Sequence, residues 1–85
     1  MKYTAANIKG DIDNKKDSIS FDILEDGIAI ASVTRGRASR YGWIPRMVFK
    51  FHTEASELRF QDFCDRLSMS ETAEILVRNA GVAGG

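Results

Sequence analysis

The sequence has one cysteine, one proline and one histidine, and its twelve acidic side chains balance its twelve Lys and Arg. A single cysteine cannot form an internal disulfide, and no cluster of Cys and His exists to hold a structural zinc ion. The longest wholly apolar run is the four residues Ile28–Ala31, too short for a signal-peptide core or a membrane span. These absences predict a cytoplasmic protein with no metal, no cofactor and no membrane partner.

Groups that could carry catalysis are equally scarce. His52 is the lone histidine, so a dyad with serine or cysteine would have to be built by tertiary contacts. Cys64 lies in an apolar helical stripe, which is typical of a buried small hydrophobe rather than a nucleophile. Gly36 and Gly42 have no phosphate-binding glycine motif around them. The sequence therefore predicts a protein that is not an enzyme and has no catalytic residues.

The length and the distribution of charge limit the remaining possibilities. A chain of 85 residues makes one domain, here residues 1–85, and folding buries roughly two-thirds or less of its surface, so a homodimer or a partner-bound form is expected. A net charge of zero argues against indiscriminate binding to polyanions. However, six acids fall in Asp11–Asp26, whereas no Asp or Glu occurs between Gly27 and Thr53. The molecule is therefore expected to be dipolar.

The first half of the chain predicts a β-hairpin. Residues 1–17 are rich in turn-forming residues and predict an irregular segment, with a short strand or helical turn followed by a loop. Ser18–Glu25 and Ile28–Arg35 alternate apolar and other residues on either side of Asp26 and Gly27, the typical central pair of a type I′ turn. That turn pairs Ile23 with Ile30, Phe21 with Ser32, Asp22 with Ala31 and Leu24 with Ala29.

The second half predicts one more strand and two helices. In the strand Ile44–His52, Phe49 and Phe51 share the face to be covered. A helix from about Glu54 to Leu67 should lie on that face, capped by Thr53 and facing it with the stripe Phe60, Phe63, Cys64 and Leu67. A capping box at Ser68 and Glu71 starts a second helix, Glu71–Ala80, and residues 82–85 are expected to be a flexible tail. The predicted fold is α+β: a three-stranded antiparallel β-meander covered on one face by a C-terminal helix, followed by a second short helix.

Residues 35–50 hold the candidate binding surface. They combine five cations with the only Trp and one of two Tyr, a mixture typical of a site for an anionic partner. A basic surface with aromatic residues at its rim suits single-stranded nucleic acid, in which cations track phosphates and bases stack on rings. The plainer alternative is a surface loop neutralised by Asp22, Glu25 or Asp26. The predicted binding residues are Arg35, Arg37, Arg40, Tyr41, Trp43, Arg46 and Lys50.

The stretch Arg46–Ala80 resembles the ribbon-helix-helix pattern, a strand with outward polar residues followed by two helices. The resemblance implies a dimer whose paired strands enter the DNA major groove, with Arg46, Val48 and Lys50 reading bases. Two predicted strands precede this one, and Glu71 stands where a basic residue would suit phosphate, so the chain departs from the pattern.

The rival to nucleic-acid binding is a protein-binding accessory factor or inhibitor, of the kind that phage and mobile elements encode, which occludes a larger partner. Arg, Tyr and Trp are also the residues most enriched at protein interfaces, so the same segment serves this hypothesis. Leu58 and Ile75 lie off the apolar stripes of their helices and are candidates for a protein interface or for contact with the N-terminal segment. Acids beside the arginines would favour a protein partner, whereas a basic face clear of them would favour nucleic acid.

Overall fold

A computed structural model describes residues 2–83 and has an α+β fold with one sheet and two helices. The strands are β1 (Tyr3–Lys9), β2 (Ile19–Glu25), β3 (Ile28–Arg35) and β4 (Val48–Phe51), and they form an antiparallel meander in the order β1-β2-β3-β4. The helices α1 (Glu54–Cys64) and α2 (Met69–Ala83) follow. No helix in residues 2–83 is long and apolar enough to cross a membrane.

The sheet has four strands rather than three because the N-terminal segment forms β1. Ala5 pairs with Ile23 and Ala6 with Asp22, so the first strand extends the predicted hairpin on its free side. A register shift follows, at which Asn7 has a positive φ of 54°. Asn tolerates this left-handed conformation better than most residues. Of the two predicted alternatives, a short strand or a helical turn, the structure has the strand, and its seven residues belong to the sheet, so the prediction of an irregular segment is wrong for Tyr3–Lys9.

The β2–β3 hairpin has the predicted turn but a different register. Asp26 and Gly27 have φ values of 51° and 86°, the two positive values that a type I′ turn requires. Leu24 pairs with Ala29 as predicted, but a bulge then shifts the ladder. The observed pairs are Ile23–Ala31, Asp22–Ser32 and Phe21–Val33, so the predicted pairs at these positions are wrong.

The bulge has a simple physical reason. It places one extra residue, Ile30, on β3, so that neighbouring Ile30 and Ala31 are both buried. Beyond the bulge, Val33 moves to the covered face and Ser32 and Thr34 to the open one, because a slip of one residue exchanges the two faces of a strand. A regular ladder would have left Val33 in water.

β4 is shorter than the predicted strand Ile44–His52 and pairs with β3 through Phe51–Ala31 and Phe49–Val33. Pro45 has no amide hydrogen to donate to a ladder, which is consistent with a late start to the strand. In the ribbon-helix-helix pattern the strand is free to pair with a second chain, whereas β4 is paired with β3 along one edge.

Both helices begin with the predicted caps. Thr53 Oγ1 accepts a hydrogen bond from the Ser56 amide at 3.1 Å, and Ser68 Oγ accepts one from the Glu71 amide at 3.0 Å. The bounds differ from prediction: α1 stops at Cys64 rather than Leu67, and α2 runs from Met69 to Ala83 rather than from Glu71 to Ala80. The predicted tail therefore loses Val82 and Ala83 to α2, and Gly84 and Gly85 lie outside the described residues.

The core lies between the helices and one face of the sheet. Phe60 is 0% exposed and its ring centroid lies 5.9 Å from that of Phe51 and 6.5 Å from that of Phe49, so α1 covers the predicted face. Phe60 and Cys64 are buried as predicted. Phe63 and Leu67 are exposed, so the predicted stripe is wrong for these two residues. Phe63 lies within α1 and only part of its surface contacts neighbours such as the Tyr3 ring, whereas Leu67 lies beyond the end of the helix at Cys64.

A polar cluster ties α1 to the turn end of the sheet. Arg59 donates to both carboxylate oxygens of Glu25 at 3.0 and 2.9 Å, and the Tyr3 hydroxyl donates to Glu25 Oε2 at 2.6 Å. The hydrogen bonds from Arg59 and then Tyr3 lower the pKa of Glu25. Burial, followed by the bond to Glu25, raises the pKa of Tyr3 to about 12. Both carboxylate oxygens of Glu25 are therefore engaged in hydrogen bonds that stabilise the fold.

Candidate functional site

The candidate site is built on the loop of residues 36–47, which joins β3 to β4. Ser39 organises its tip: its Oγ accepts from the amides of Tyr41 at 3.3 Å and Trp43 at 3.1 Å, and its own amide donates to the Trp43 carbonyl at 2.8 Å. Gly42 has a φ of 85°, which favours glycine there. These bonds close the tip into a defined turn between the two aromatic residues.

That turn presents two aromatic rings to solvent. Tyr41 is 79% exposed and Trp43 is 77% exposed, far more than aromatic residues that serve a core. The guanidinium of Arg40 lies 6.0 Å from the centre of the Tyr41 ring, and Arg37 is also exposed. The loop therefore offers flat apolar surface and positive charge at the same place.

The loop between β1 and β2 adds two lysines that sequence reasoning missed. The Ala38 amide donates to the Lys15 carbonyl at 2.8 Å, which fastens the two loops together. Between them lies an open groove of about 550 Å³ lined by Lys15, Lys16 and Arg40 and, among the described residues, by no acidic side chain. In the sequence these lysines stand in the acidic stretch Asp11–Asp26, so they gave no basic signal of their own. We call the surface formed by Lys15, Lys16, Arg37, Arg40, Tyr41 and Trp43 the basic end.

Two of the three acids that could neutralise the arginines lie at the opposite end of the sheet. Glu25 and Asp26 adjoin the β2–β3 turn, and β3 separates that turn from the basic end by roughly 23 Å at the usual rise per residue. Asp22 lies in mid-sheet and accepts a hydrogen bond from the Asn7 side chain at 2.8 Å. The plainer alternative, neutralisation by these three acids, therefore does not hold for the loop.

The acids of the β1–β2 loop lie nearer the basic end and are engaged locally. Asp11 Oδ1 accepts from the Asp13 amide at 3.0 Å, and Asp17 Oδ2 accepts from the Asp11 amide at 3.1 Å. Asp13 forms an ion pair with Arg78 of α2 at 2.7 Å, which raises the pKa of Arg78 through that hydrogen bond. These contacts hold the carboxylates in the loop's own turns and against α2.

Arg35 differs from the other predicted binding residues because it is 7% exposed. Its Nη1 donates to the Ile12 carbonyl at 3.0 Å and its Nη2 to the Asn14 carbonyl at 3.1 Å, while its Nε has no hydrogen-bond partner within residues 2–83. Arg35 pairs with Ile19 at the end of the covered face, so the guanidinium is turned beneath the β1–β2 loop. It supports the basic end from below and is not part of the exposed surface.

Arg46 and Lys50 are exposed but are not among the described residues that line the groove of the basic end. On the open face of the sheet, Lys50 of β4 pairs with Ser32 of β3, and Ser32 pairs with Asp22 of β2. One acid therefore lies on the same face as Lys50, two strands away. The predicted pair Asp22–Ala31 would have put Ala31, and with it Val33, on this open face, but the bulge places both on the covered face, where they are buried. Small polar side chains replace them on that face.

Leu58 and Ile75 are exposed, and neither is buried against the N-terminal strand. Leu58 stands about 160° around α1 from Phe60 at 100° per residue, so it faces away from the sheet that Phe60 covers. Their use as a protein interface stays a prediction.

No known protein family, curated protein or solved structure matches this chain.

Proposed function

We propose that this protein is a non-catalytic module that binds single-stranded nucleic acid on its basic end. The observation that carries the proposal is the acid-free groove lined by Lys15, Lys16 and Arg40, beside the exposed rings of Tyr41 and Trp43. Cations along a groove track a phosphate backbone, and any base can stack on an aromatic ring. The two kinds of group meet here on one surface.

The hydrogen bonds that hold the loop support the same proposal. Ser39 holds both aromatic residues through their backbone amides, and Ala38 is fixed to Lys15, so little ordering of the backbone remains for binding. A surface that is already arranged loses less conformational entropy when a ligand binds. Single strands are favoured over duplex because the rings project from a loop tip, where unstacked bases are accessible to them.

Fluorescence anisotropy with labelled single- and double-stranded DNA and RNA at low salt tests this proposal. Stacking contributes about 1–3 kcal/mol per base, so Trp43→Ala should weaken binding by roughly 5-fold to 150-fold, whereas Trp43→Phe should retain most of it. Arg40→Ala should also weaken binding. Ile28→Ala is the matched control, because Ile28 is an exposed apolar residue at the turn end of the sheet. Absence of binding, or binding that Trp43→Ala and Arg40→Ala leave unchanged, would end the proposal.

A second candidate is a cytoplasmic accessory factor or inhibitor that occludes a larger protein. It is favoured by a different observation, the exposed Leu58 and Ile75 on the two helices. Recovery from host lysate of a stoichiometric protein that survives nuclease treatment, and that is lost with Leu58→Asp, would support it. Recovery of nucleic acid alone would exclude it.

A further inference from the structure

A cleft beside the basic end has an excess of positive charge. It has a volume of about 390 Å³ and is walled by the β1–β2 loop, the segment 44–47 and the first turns of α2, with Arg35 also contributing to its lining. Its charged lining comprises four cations and two acids: Lys15, Arg35, Arg46, Arg78, Asp13 and Glu74. Both acids pair with the same cation, because Arg78 contacts Asp13 at 2.7 Å and Glu74 at 3.6 Å. Three cations are left without an acidic partner in the lining.

Arg35 makes this excess unusual. A buried cation is costly unless a counter-charge or a full set of hydrogen bonds compensates it. Within residues 2–83 Arg35 has two backbone carbonyls as acceptors, an unpartnered Nε and no ion pair with a carboxylate. An anion held in the cleft would supply the missing negative charge. The first turn of α2 adds the positive end of a helix dipole through Ser70.

The cleft and the groove lie next to each other, because Lys15 lines both. A strand lying along the groove can therefore place one of its phosphates in the cleft. A terminal phosphate monoester carries more negative charge than an internal diester, which suits the excess of two positive charges that four cations and two acids give the lining.

We infer that this cleft binds a phosphate monoester, and that its ligand is the terminal phosphate of the single strand held on the basic end. The inference rests on the proposed function. It adds a preference for phosphorylated ends that the groove alone would not give.

The test compares one oligonucleotide with a 5′-phosphate, a 3′-phosphate or neither, by anisotropy at fixed ionic strength. The strand with the preferred phosphorylated end should bind about tenfold more tightly than the unphosphorylated strand, the effect of one charge-assisted hydrogen bond. Arg46→Gln, in the cleft, should reduce the difference to less than about twofold. Arg37→Gln is the matched control: Arg37 does not line the cleft, so it should weaken all three strands equally.

The outcomes separate the two proposals. Equal binding of all three strands would overturn the cleft while leaving the groove intact. A nucleoside monophosphate, titrated alone and followed by amide chemical shifts of Arg46 and Ser70, distinguishes a free phosphate monoester from a strand end. Shifts at these residues without any oligonucleotide binding would keep the cleft as an anion site and overturn both the strand-end ligand and the proposed function.

Discussion

Replacing Phe60 by alanine tests whether α1 is held on the sheet by this one side chain. Phe60 is 0% exposed and its ring lies within 6.5 Å, centroid to centroid, of those of Tyr3, Phe49, Phe51 and Phe63. Truncation of a fully buried Phe removes its transfer free energy and leaves a cavity, together about 3–5 kcal/mol. A domain of this length has a free energy of unfolding of roughly 4–13 kcal/mol, so Phe60→Ala removes a large share of it.

Phe63→Ala is the matched control, because the two residues are three positions apart on the same helix. Phe63 is 46% exposed, so about half of its surface is already in water, and its truncation should cost roughly 1 kcal/mol. Urea unfolding followed by circular dichroism measures both variants, with Phe60→Leu as a milder substitution if Phe60→Ala does not fold. Equal losses at the two positions would refute the packing of α1 described here.

Three further predictions concern the fold. Gly27→Ala should lower the free energy of unfolding by about 1 kcal/mol in urea titrations, because φ is 86° while no atom lies near an added Cβ. Tyr3→Phe should flatten the pH dependence of the free energy of unfolding between pH 10 and about 12. The folded state raises the pKa of Tyr3 to about 12, so the stabilisation that the protonated Tyr3 hydroxyl provides is complete below pH 10 and is lost as pH rises through 12. Arg35→Lys should speed hydrogen exchange in the β1–β2 loop, because a single ammonium cannot reproduce the two-pronged contact with the Ile12 and Asn14 carbonyls.

Much of the fold could be predicted from local patterns. The Asp26–Gly27 turn and the helix caps at Thr53 and Ser68 depend only on residues a few positions apart in the chain. Such features can be predicted directly from the sequence. The bulge at Ile30 could not be predicted, because it depends on how β3 buries its side chains against the helices. β1 was obscured for a similar reason: its residues become a strand by pairing with β2 rather than by alternation of their own.

The candidate site was predictable in part, for reasons that differ between residues. The exposure of Tyr41 and Trp43 could be predicted, because both lie in a glycine-containing loop whose apolar residues follow no helical or strand period. Arg35 could not be assigned correctly, because the bulge in β3 decides on which face of the sheet the Arg35 side chain lies. Lys15 joins the basic end through a contact between two loops, and no sequence pattern specifies such a contact.

The salt dependence of single-strand binding tests the central claim most directly. Each phosphate neutralised on a single strand contributes about −0.7 to the slope of log K against log salt, so engagement of Lys15, Lys16, Arg37 and Arg40 predicts a slope of about −2.8. Arg37→Gln combined with Arg40→Gln should bring the slope to about −1.4, while Lys2→Gln at the turn end should leave it unchanged. A slope near zero in the unaltered protein, or one that the double variant does not change, would contradict binding on the basic end.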